Sequence, residues 1–447
     1  MTDKIYRVPT IYNEIKKTTA PLTVRVPGSK SITNRSLLLA MLADGASTLL
    51  GVLFSDDSRH FLQCVQDLGF RTTVDEDTCV VTVEGLGGKI PCAEASLNVG
   101  SAGTAARFLT ATLGVSDGIF HLDASEQMRR RPMAPLLSSL RELGCEIRCE
   151  GEEGHFPFTL TTHGFGQDHI SIDIGHSSQF LSALLIASTL SSKDFTIQVE
   201  GTHGMAYIEM TQKMMEQFGV RVERPAADQF RIRAGQQYNA LDYQIEPDVS
   251  AACYFYAMAP LLGIPVCVEH VHFESLQGDV EFLHILEKMG CTAQETEKGV
   301  LLLPPAAMAD AATAQAPAFH GVTVDMSSCS DQTITLAAIA PFADSPTCIT
   351  GIGHIRFQES DRIHAICTEL TRMGIRCEET QDSITIYPGT PHPCTVATYD
   401  DHRMAMGFAL TGLRAEGIVI DDPGCCRKTF ENYFEVLDQV IAKIVEM

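Results

Sequence analysis

Six short stretches hold the residues that could do chemistry. Residues 27–35 read Pro-Gly-Ser-Lys-Ser-Ile-Thr-Asn-Arg. A β-like alternation precedes them (Leu22, Val24, Val26), and the apolar run 37–42 follows, so the stretch is a turn feeding a buried helix. Ser29 or Ser31 can cap that helix. Lys30 and Arg35 then stand at the positive end of a helix dipole, with Ser31 and Arg35 on one face at i,i+4. Positive charge there is unfavourable unless an anion joins it, which makes the stretch a candidate anion site. The order Gly-Ser-Lys-Ser is not that of a P-loop. The competing reading is a capped helix whose Lys and Arg reach solvent.

The other stretches add cations and carboxylates. Arg129, Arg130 and Arg131 precede Pro132, a residue suited to the first helical position. Arg129 and Arg130 fit a salt-bridged surface turn, and Arg131 fits an anion ligand. Residues 356–362 offer Glu359 for proton transfer and Arg362 for a bidentate grip on carboxylate or phosphate. A plain i,i+3 ion pair between those two is the alternative. Asp401, His402 and Arg403 start an apolar helix, where Arg403 needs an acidic neighbour or a bound anion. Lys428 stands similarly before the last helix. Asp331, beside Ile334 and Leu336, suits acid–base work in apolar surroundings, or equally a helix cap.

The elements that must position these residues repeat. A helical run ending in an apolar residue and Gly recurs at Gly69, Gly144, Gly219, Gly290 and Gly374, with Gly as the helix stop. A sixth such helix, near residues 430–445, closes the chain. Short apolar helices with polar starts interleave, from Ser31, Ser101, Ser177, Ser250, Asp331 and Asp401. Alternating segments such as 79–83, 195–199 and 383–387 read as strands. Six α/β units of about seventy to eighty residues exceed one core, so we expect three units in each of two domains. The break falls near residues 243–247. Equivalent polar helix starts would then converge on one face of each domain, gathering Lys30, Ser31, Arg35, Ser101, Thr104, Arg107, Ser177, Ser178, Gln179, Asp331 and Arg403. For Ser250 an ordinary cap is the preferred reading.

Composition narrows the partners. The net charge of −23 argues against nucleic acid or an anionic membrane, and suits a small anionic substrate held in a locally basic cleft. The opening residues are polar, and no apolar run reaches membrane-spanning length. Fifteen cysteines, odd in number and without a Cys-x-x-Cys pair, point to free thiols in a cytoplasmic protein, with no metal site. The adjacent Cys425 and Cys426 read as small buried residues.

Seven ordered motifs carry a family resemblance: Pro-Gly-Ser-Lys-Ser…Asn-Arg, Ala-Gly-Thr-Ala…Arg, Arg-Pro-Met, Ser-Ser-Gln-Phe-Leu, Glu-Ser-Asp-Arg, Asp-His-Arg-Met-Ala-Met and Lys-Thr-Phe. Together they resemble the 5-enolpyruvylshikimate-3-phosphate synthases. The resemblance implies a two-domain inverse α/β barrel of six βαβαββ repeats with buried helices. One domain would span residues 28–246 and the other 1–27 plus 247–447, with the active site in the interdomain cleft. It implies a monomer acting on shikimate 3-phosphate and phosphoenolpyruvate, with no cofactor and no metal. Lys30, Ser101, Gly103, Arg131, Gln179, Arg362, Arg403 and Lys428 would bind phosphoenolpyruvate. Lys30, Ser31, Arg35, Ser177, Ser178, Gln179, Tyr207, Asp331 and Gln358 would bind shikimate 3-phosphate. Lys30, Asp331 and Glu359 would be catalytic: Asp331 as base at the 5-hydroxyl, Glu359 with Lys30 as proton donor to the methylene. The chain departs from the family pattern at Gln358 (usually Lys), Gly204 (Ser), His354 (Asn) and Ser101 (Asn), with His354 or Arg356 placed to replace the missing charge. Two other readings stay open. One is enolpyruvyl transfer to a UDP-amino sugar, disfavoured because no cysteine loop precedes Arg131. The other is a non-catalytic shikimate-phosphate-binding paralogue, motivated by Gln358 and Gly204.

Overall fold

In the computed structural model, which describes residues 5–15, 20–175, 177–202, 204–306 and 319–447, the strands form six small sheets. In three of them a strand, a buried helix and a second strand form a parallel pair, and an antiparallel hairpin extends it. Parallel neighbours need a crossover, and in these sheets the buried helix is that crossover. Glu94–Asn98 thus leads through the Gly103–Gly114 helix to Asp117–Asp123, which pairs with Phe158–His163 and through it with Glu146–Cys149. The same order holds for the sheet built on His169–Asp173 and Phe195–Glu200, and for that on Thr323–Asp325 and Thr347–Thr350.

The chain divides into two compact units, Gly28–Glu246 and Met1–Pro27 with Pro247–Met447. Each completes a sheet with a strand distant in sequence. In the first unit, Asp242–Gln244 runs parallel to Asp44–Leu50. In the second, Leu22–Val24 runs parallel to Val266–Val268, and Ile5–Arg7 pairs antiparallel with Ile418–Asp421. The N-terminal segment therefore belongs to the unit that holds the last three repeats.

The buried helices are buried because their sequences have no polar face. All twelve residues of Gly103–Gly114 are buried, as are eleven of the thirteen in Lys30–Leu42. The other helices are two-faced. Asp56–Asp67 buries Phe61, Leu62, Cys64 and Val65 and leaves its charges outside. Each core Leu or Phe contributes roughly 1.5–3 kcal/mol on burial. Five surface helices stop at the expected glycines, at φ +90° (Gly69), +104° (Gly144), +92° (Gly219), +108° (Gly290) and +80° (Gly374). Only a residue without Cβ adopts this left-handed turn without strain.

Sequence and structure part over two details and agree on a third. Pro132 lies ahead of its helix, Ala134–Glu142, and Pro135 takes the early helical place. The Val249–Tyr256 helix is capped by Asp248, which accepts from the Ala251 amide, not by Ser250. Cys425 and Cys426 are indeed buried.

Candidate active site

In the Gly28–Glu246 unit the starts of the buried helices lie together. The Asn34 amide donates to Thr104 Oγ1 at 2.6 Å, tying the Lys30–Leu42 helix to the Gly103–Gly114 helix. Thr211 Oγ1 donates to Ser182 Oγ at 3.1 Å, tying the Met205–Gln217 helix to Gln179–Ser188. Three of these helices are buried, Lys30–Leu42, Gly103–Gly114 and Gln179–Ser188, and none of their cap-position residues makes a side-chain capping bond. Ser29 holds the cap position of the first without a capping bond, and Ala102 and Ser178 do the same for the others. Ser29 is therefore not the cap its sequence context suggests, and the helix beginning near Ser101 starts two residues later. No first turn here holds an acidic residue. Uncapped N–H groups and the dipole favour an anion.

Lys30 opens the first helix, and its ammonium lies 3.6 Å from Asp57 Oδ2, a buried carboxylate at the start of the Asp56–Asp67 helix. Arg35 is 2% exposed and turns back on Ser31, donating from Nη1 to the Ser31 carbonyl at 3.0 Å, so the i,i+4 relation holds. Its Nε donates to Thr211 Oγ1 at 2.8 Å and its Nη2 to the Tyr207 carbonyl at 3.4 Å, and it lies over the Phe108 ring. Among the described residues every one of these acceptors is neutral. Burial lowers the Arg35 pKa to about 10, while Tyr207 opposes the shift.

Gly103 sits where two guanidinium groups approach. A Cβ there would lie 3.0 Å from Arg107 Nη1 and from Arg131 Nη1. Arg107 donates to the Gly103 and Pro132 carbonyls, which fastens the segment bearing Arg131 to the helix start. Arg129 and Arg130 pair with Asp123 at 2.8 Å and Glu126 at 2.5 Å, as expected of a surface turn. Ser101 shares a 2.6 Å hydrogen bond with Ser125. Ser177 Oγ accepts from the Gln179 backbone amide at 3.2 Å, and Gln179 Oε1 is buried with no hydrogen-bond partner among the described residues. Gly204 stands at φ +64°, and a Cβ there would lie 2.5 Å from Ser178 Oγ, so glycine is what this backbone requires.

In the other unit a single side chain gathers the carboxylates. Arg362, 1% exposed, donates from Nη1 to Asp331 Oδ1 at 2.9 Å and to the Gln358 side-chain oxygen. Its Nη2 donates to Glu359 Oε2 at 2.9 Å. Its fork, Nε and Nη2, holds Asp401 at 2.8 and 3.2 Å. The bidentate grip expected for Arg362 therefore closes on an internal carboxylate, and the Glu359–Arg362 pair is buried, not a surface contact. Burial alone would lower the Arg362 pKa, but Asp401, Glu359 and Asp331 together hold it above the ordinary value.

Asp401 also accepts from the Arg403 amide at 3.0 Å, capping the His402–Arg414 helix. The Arg403 side chain finds its acid elsewhere: Nη2 donates to Asp331 Oδ2 at 2.7 Å. Asp331 is thus bracketed by two guanidinium groups. It does not sit in apolar surroundings, and it is not a helix cap, since Cys329 holds the cap position of its 3-10 turn. The Lys428 ammonium donates to Glu359 Oε1 at 3.2 Å. Of the two cations placed to compensate for Gln358, Arg356 is committed to Asp361 and Glu379, and His354 contacts Ser330 Oγ at 2.7 Å.

Asp57 and the buried Asp279 escaped the sequence reading. Neither belongs to a basic stretch, and their partners are distant in sequence. Among the described residues no group of three or more His, Cys, Asp or Glu side chains could hold a metal ion, and no helix is long and apolar enough to cross a membrane.

Two units of three α/β repeats, with cations and carboxylates at the starts of their inner helices, define a class of protein built to bind small anions and move protons between them. Comparison with known proteins gives the family. The family profile for EPSP synthase (3-phosphoshikimate 1-carboxyvinyltransferase) matches residues 16–437, and the chain belongs to that family. It is 45% identical over 413 residues to the 3-phosphoshikimate 1-carboxyvinyltransferase of Trichormus variabilis, covering 92% of this chain and 94% of the relative. It is 39% identical over 429 residues to the chloroplastic enzyme of that name from Petunia hybrida, covering 93% and 82%. A solved EPSP synthase from Acinetobacter baumannii superposes with a TM-score of 0.76 at 25% identity, covering 95% of this chain and 97% of that one.

Proposed function

We propose that this chain transfers the enolpyruvyl group of phosphoenolpyruvate to the 5-hydroxyl of shikimate 3-phosphate and releases phosphate. The observation that carries this reading beyond the family match is the Arg362 cluster, which joins two carboxylates, Asp331 and Glu359, through one buried guanidinium. Addition of a hydroxyl across a carbon–carbon double bond needs a base at the hydroxyl and an acid at the methylene. Asp331 takes the hydroxyl proton. Glu359, held by Lys428, supplies the proton to the methylene together with Lys30. Loss of phosphate and a proton from the tetrahedral adduct completes the exchange.

Both units act on the same pair of substrates in this reading. Lys30, Ser101, Gly103, Arg131, Gln179, Arg362, Arg403 and Lys428 receive phosphoenolpyruvate. Ser31, Arg35, Ser177, Ser178, Tyr207 and Gln358, with Lys30, Gln179 and Asp331, receive shikimate 3-phosphate. Arg35 supports that assignment, because a buried guanidinium among neutral acceptors is stabilised by a phosphate nearby. We propose further that the protein works as a monomer in the cytoplasm, in keeping with fifteen free thiols. Phosphate release from a mixture of both substrates, absent when either is omitted, tests the reaction. Release with a UDP-amino sugar in place of shikimate 3-phosphate would replace the acceptor.

A further inference from the structure

Behind Asp331 lies a carboxylate that the proposed reaction does not use. Asp279 sits in the 3-10 turn Gly278–Val280 and is 4% exposed. The Ser250 hydroxyl donates to its Oδ2 at 2.5 Å, and the Gln332 amide donates to its Oδ1 at 3.3 Å. Both contacts lead to the site. Gln332 is fully buried and adjoins Asp331 in sequence. Ser250 Oγ lies 3.4 Å from Arg403 Nη2, the same nitrogen that donates to Asp331 Oδ2 at 2.7 Å. An unbroken path therefore runs from Asp279 through Ser250 and Arg403 to Asp331. The charged groups facing Asp279 are Asp331, Arg403 and Asp248, the last engaged in capping the Val249–Tyr256 helix. Two buried thiols adjoin it, Cys253 and Cys329, and burial pushes both up, so they stay neutral.

The charge balance gives this path a consequence. Arg362, Arg403 and Lys428 face Asp331, Glu359 and Asp401 in equal number. An ionised Asp279 would put the carboxylates in the majority at a place meant for an anionic ligand. We propose that Asp279 is a positioning residue whose proton sets the strength of the Arg403 anion site. As the neutral acid it leaves Arg403 to Asp331 and to an incoming phosphate or carboxylate. As the carboxylate it adds a repelling charge behind them. The titration falls in a useful range: burial raises the Asp279 pKa to about 6, Asp331 adds to the rise, and Arg403 and Ser250 work against it.

The inference rests on the enolpyruvyl-transfer reading for its ligand, but not for its proton. Between about pH 4 and pH 6 the folded chain keeps a proton on Asp279 that the unfolded chain has lost, so this group's contribution to stability falls as pH rises through that window. Asp279→Asn mimics the neutral acid and lacks the term. Its melting temperature should gain on the wild type by about 2–4 °C between pH 5 and pH 7.5. The wild-type to D279N ratio of KM for phosphoenolpyruvate should stay near one at pH 5.5 and rise roughly three- to tenfold by pH 8. The ligand's own titration is common to both proteins and cancels. A merely structural role for Asp279 would change that ratio by the same factor at every pH. A KM ratio that stays flat, or a melting difference that does not grow, overturns the proposal. Should the wild type not turn over, the substrate assignment falls, and the same pH series read as inorganic phosphate binding by calorimetry decides the role of Asp279.

Discussion

Ser29, Ala102 and Ser178 precede the buried helices of one unit, and none offers a side-chain cap. In the other unit Asp248 and Asp401 each accept a bond from a helix amide at two of the three starts, and the third helix, Thr333–Ile339, has no side-chain cap. The repeats share one strand–helix–strand plan, so the difference lies in what meets the positive end of the helix. In the Gly28–Glu246 unit no cap-position side chain meets that end, and Arg35 lies buried among neutral acceptors beside it. In the other unit internal carboxylates already occupy the cations, and in the proposed reaction two of those carboxylates, Asp331 and Glu359, are the reactive groups. At two of the three starts a capping Asp thus stands where the first unit has Ser or Ala, and in the proposed reaction the first unit receives phosphate while the second supplies the acid–base groups.

Mutations can break this contrast. The largest effect should come from Asp331→Asn, which removes the proposed base from between Arg362 and Arg403; kcat should fall by about 10²–10⁴ in a phosphate-release assay while the variant stays folded. Next is a matched pair of buried arginines. Arg362→Met leaves Asp401 buried without its fork and should cost about 3–5 kcal/mol in a urea melt. Arg35→Met abandons only neutral acceptors and should cost about 1–3 kcal/mol. Equal costs would erase the distinction between the units. Gly103→Ala places a methyl group 3.0 Å from both Arg107 and Arg131 and should raise KM for phosphoenolpyruvate about tenfold, with little change in melting temperature. The smallest effects separate the helix starts themselves. Asp248→Ala should lose about 1 kcal/mol, and Ser29→Ala less than about 0.5 kcal/mol, because Ser29 makes no capping bond.

Much of the scaffold is written locally. A glycine after an apolar residue at the end of a two-faced helix is a backbone instruction, and all five such glycines adopt the left-handed turn. The buried helices show as apolar runs without a polar face, and the cations show as basic stretches in an acidic chain. What the sequence hides is which groups pair. Lys30 finds Asp57, Arg403 finds Asp331 in preference to its neighbour Asp401, and Asp279 reaches Ser250 and Gln332. Those partners come together only when repeats stack, and nothing in the local pattern of Asp57 or Asp279 distinguishes it from a surface carboxylate. Ser29 misleads for the opposite reason: it has the residue type of a cap and makes no capping bond.

The central claim is that the two kinds of helix start serve one reaction. Purified protein mixed with shikimate 3-phosphate and phosphoenolpyruvate should release inorganic phosphate, and both Arg35→Met in one unit and Asp331→Asn in the other should abolish or sharply reduce it while remaining folded. Folded wild-type protein that releases no phosphate from this pair would contradict the account.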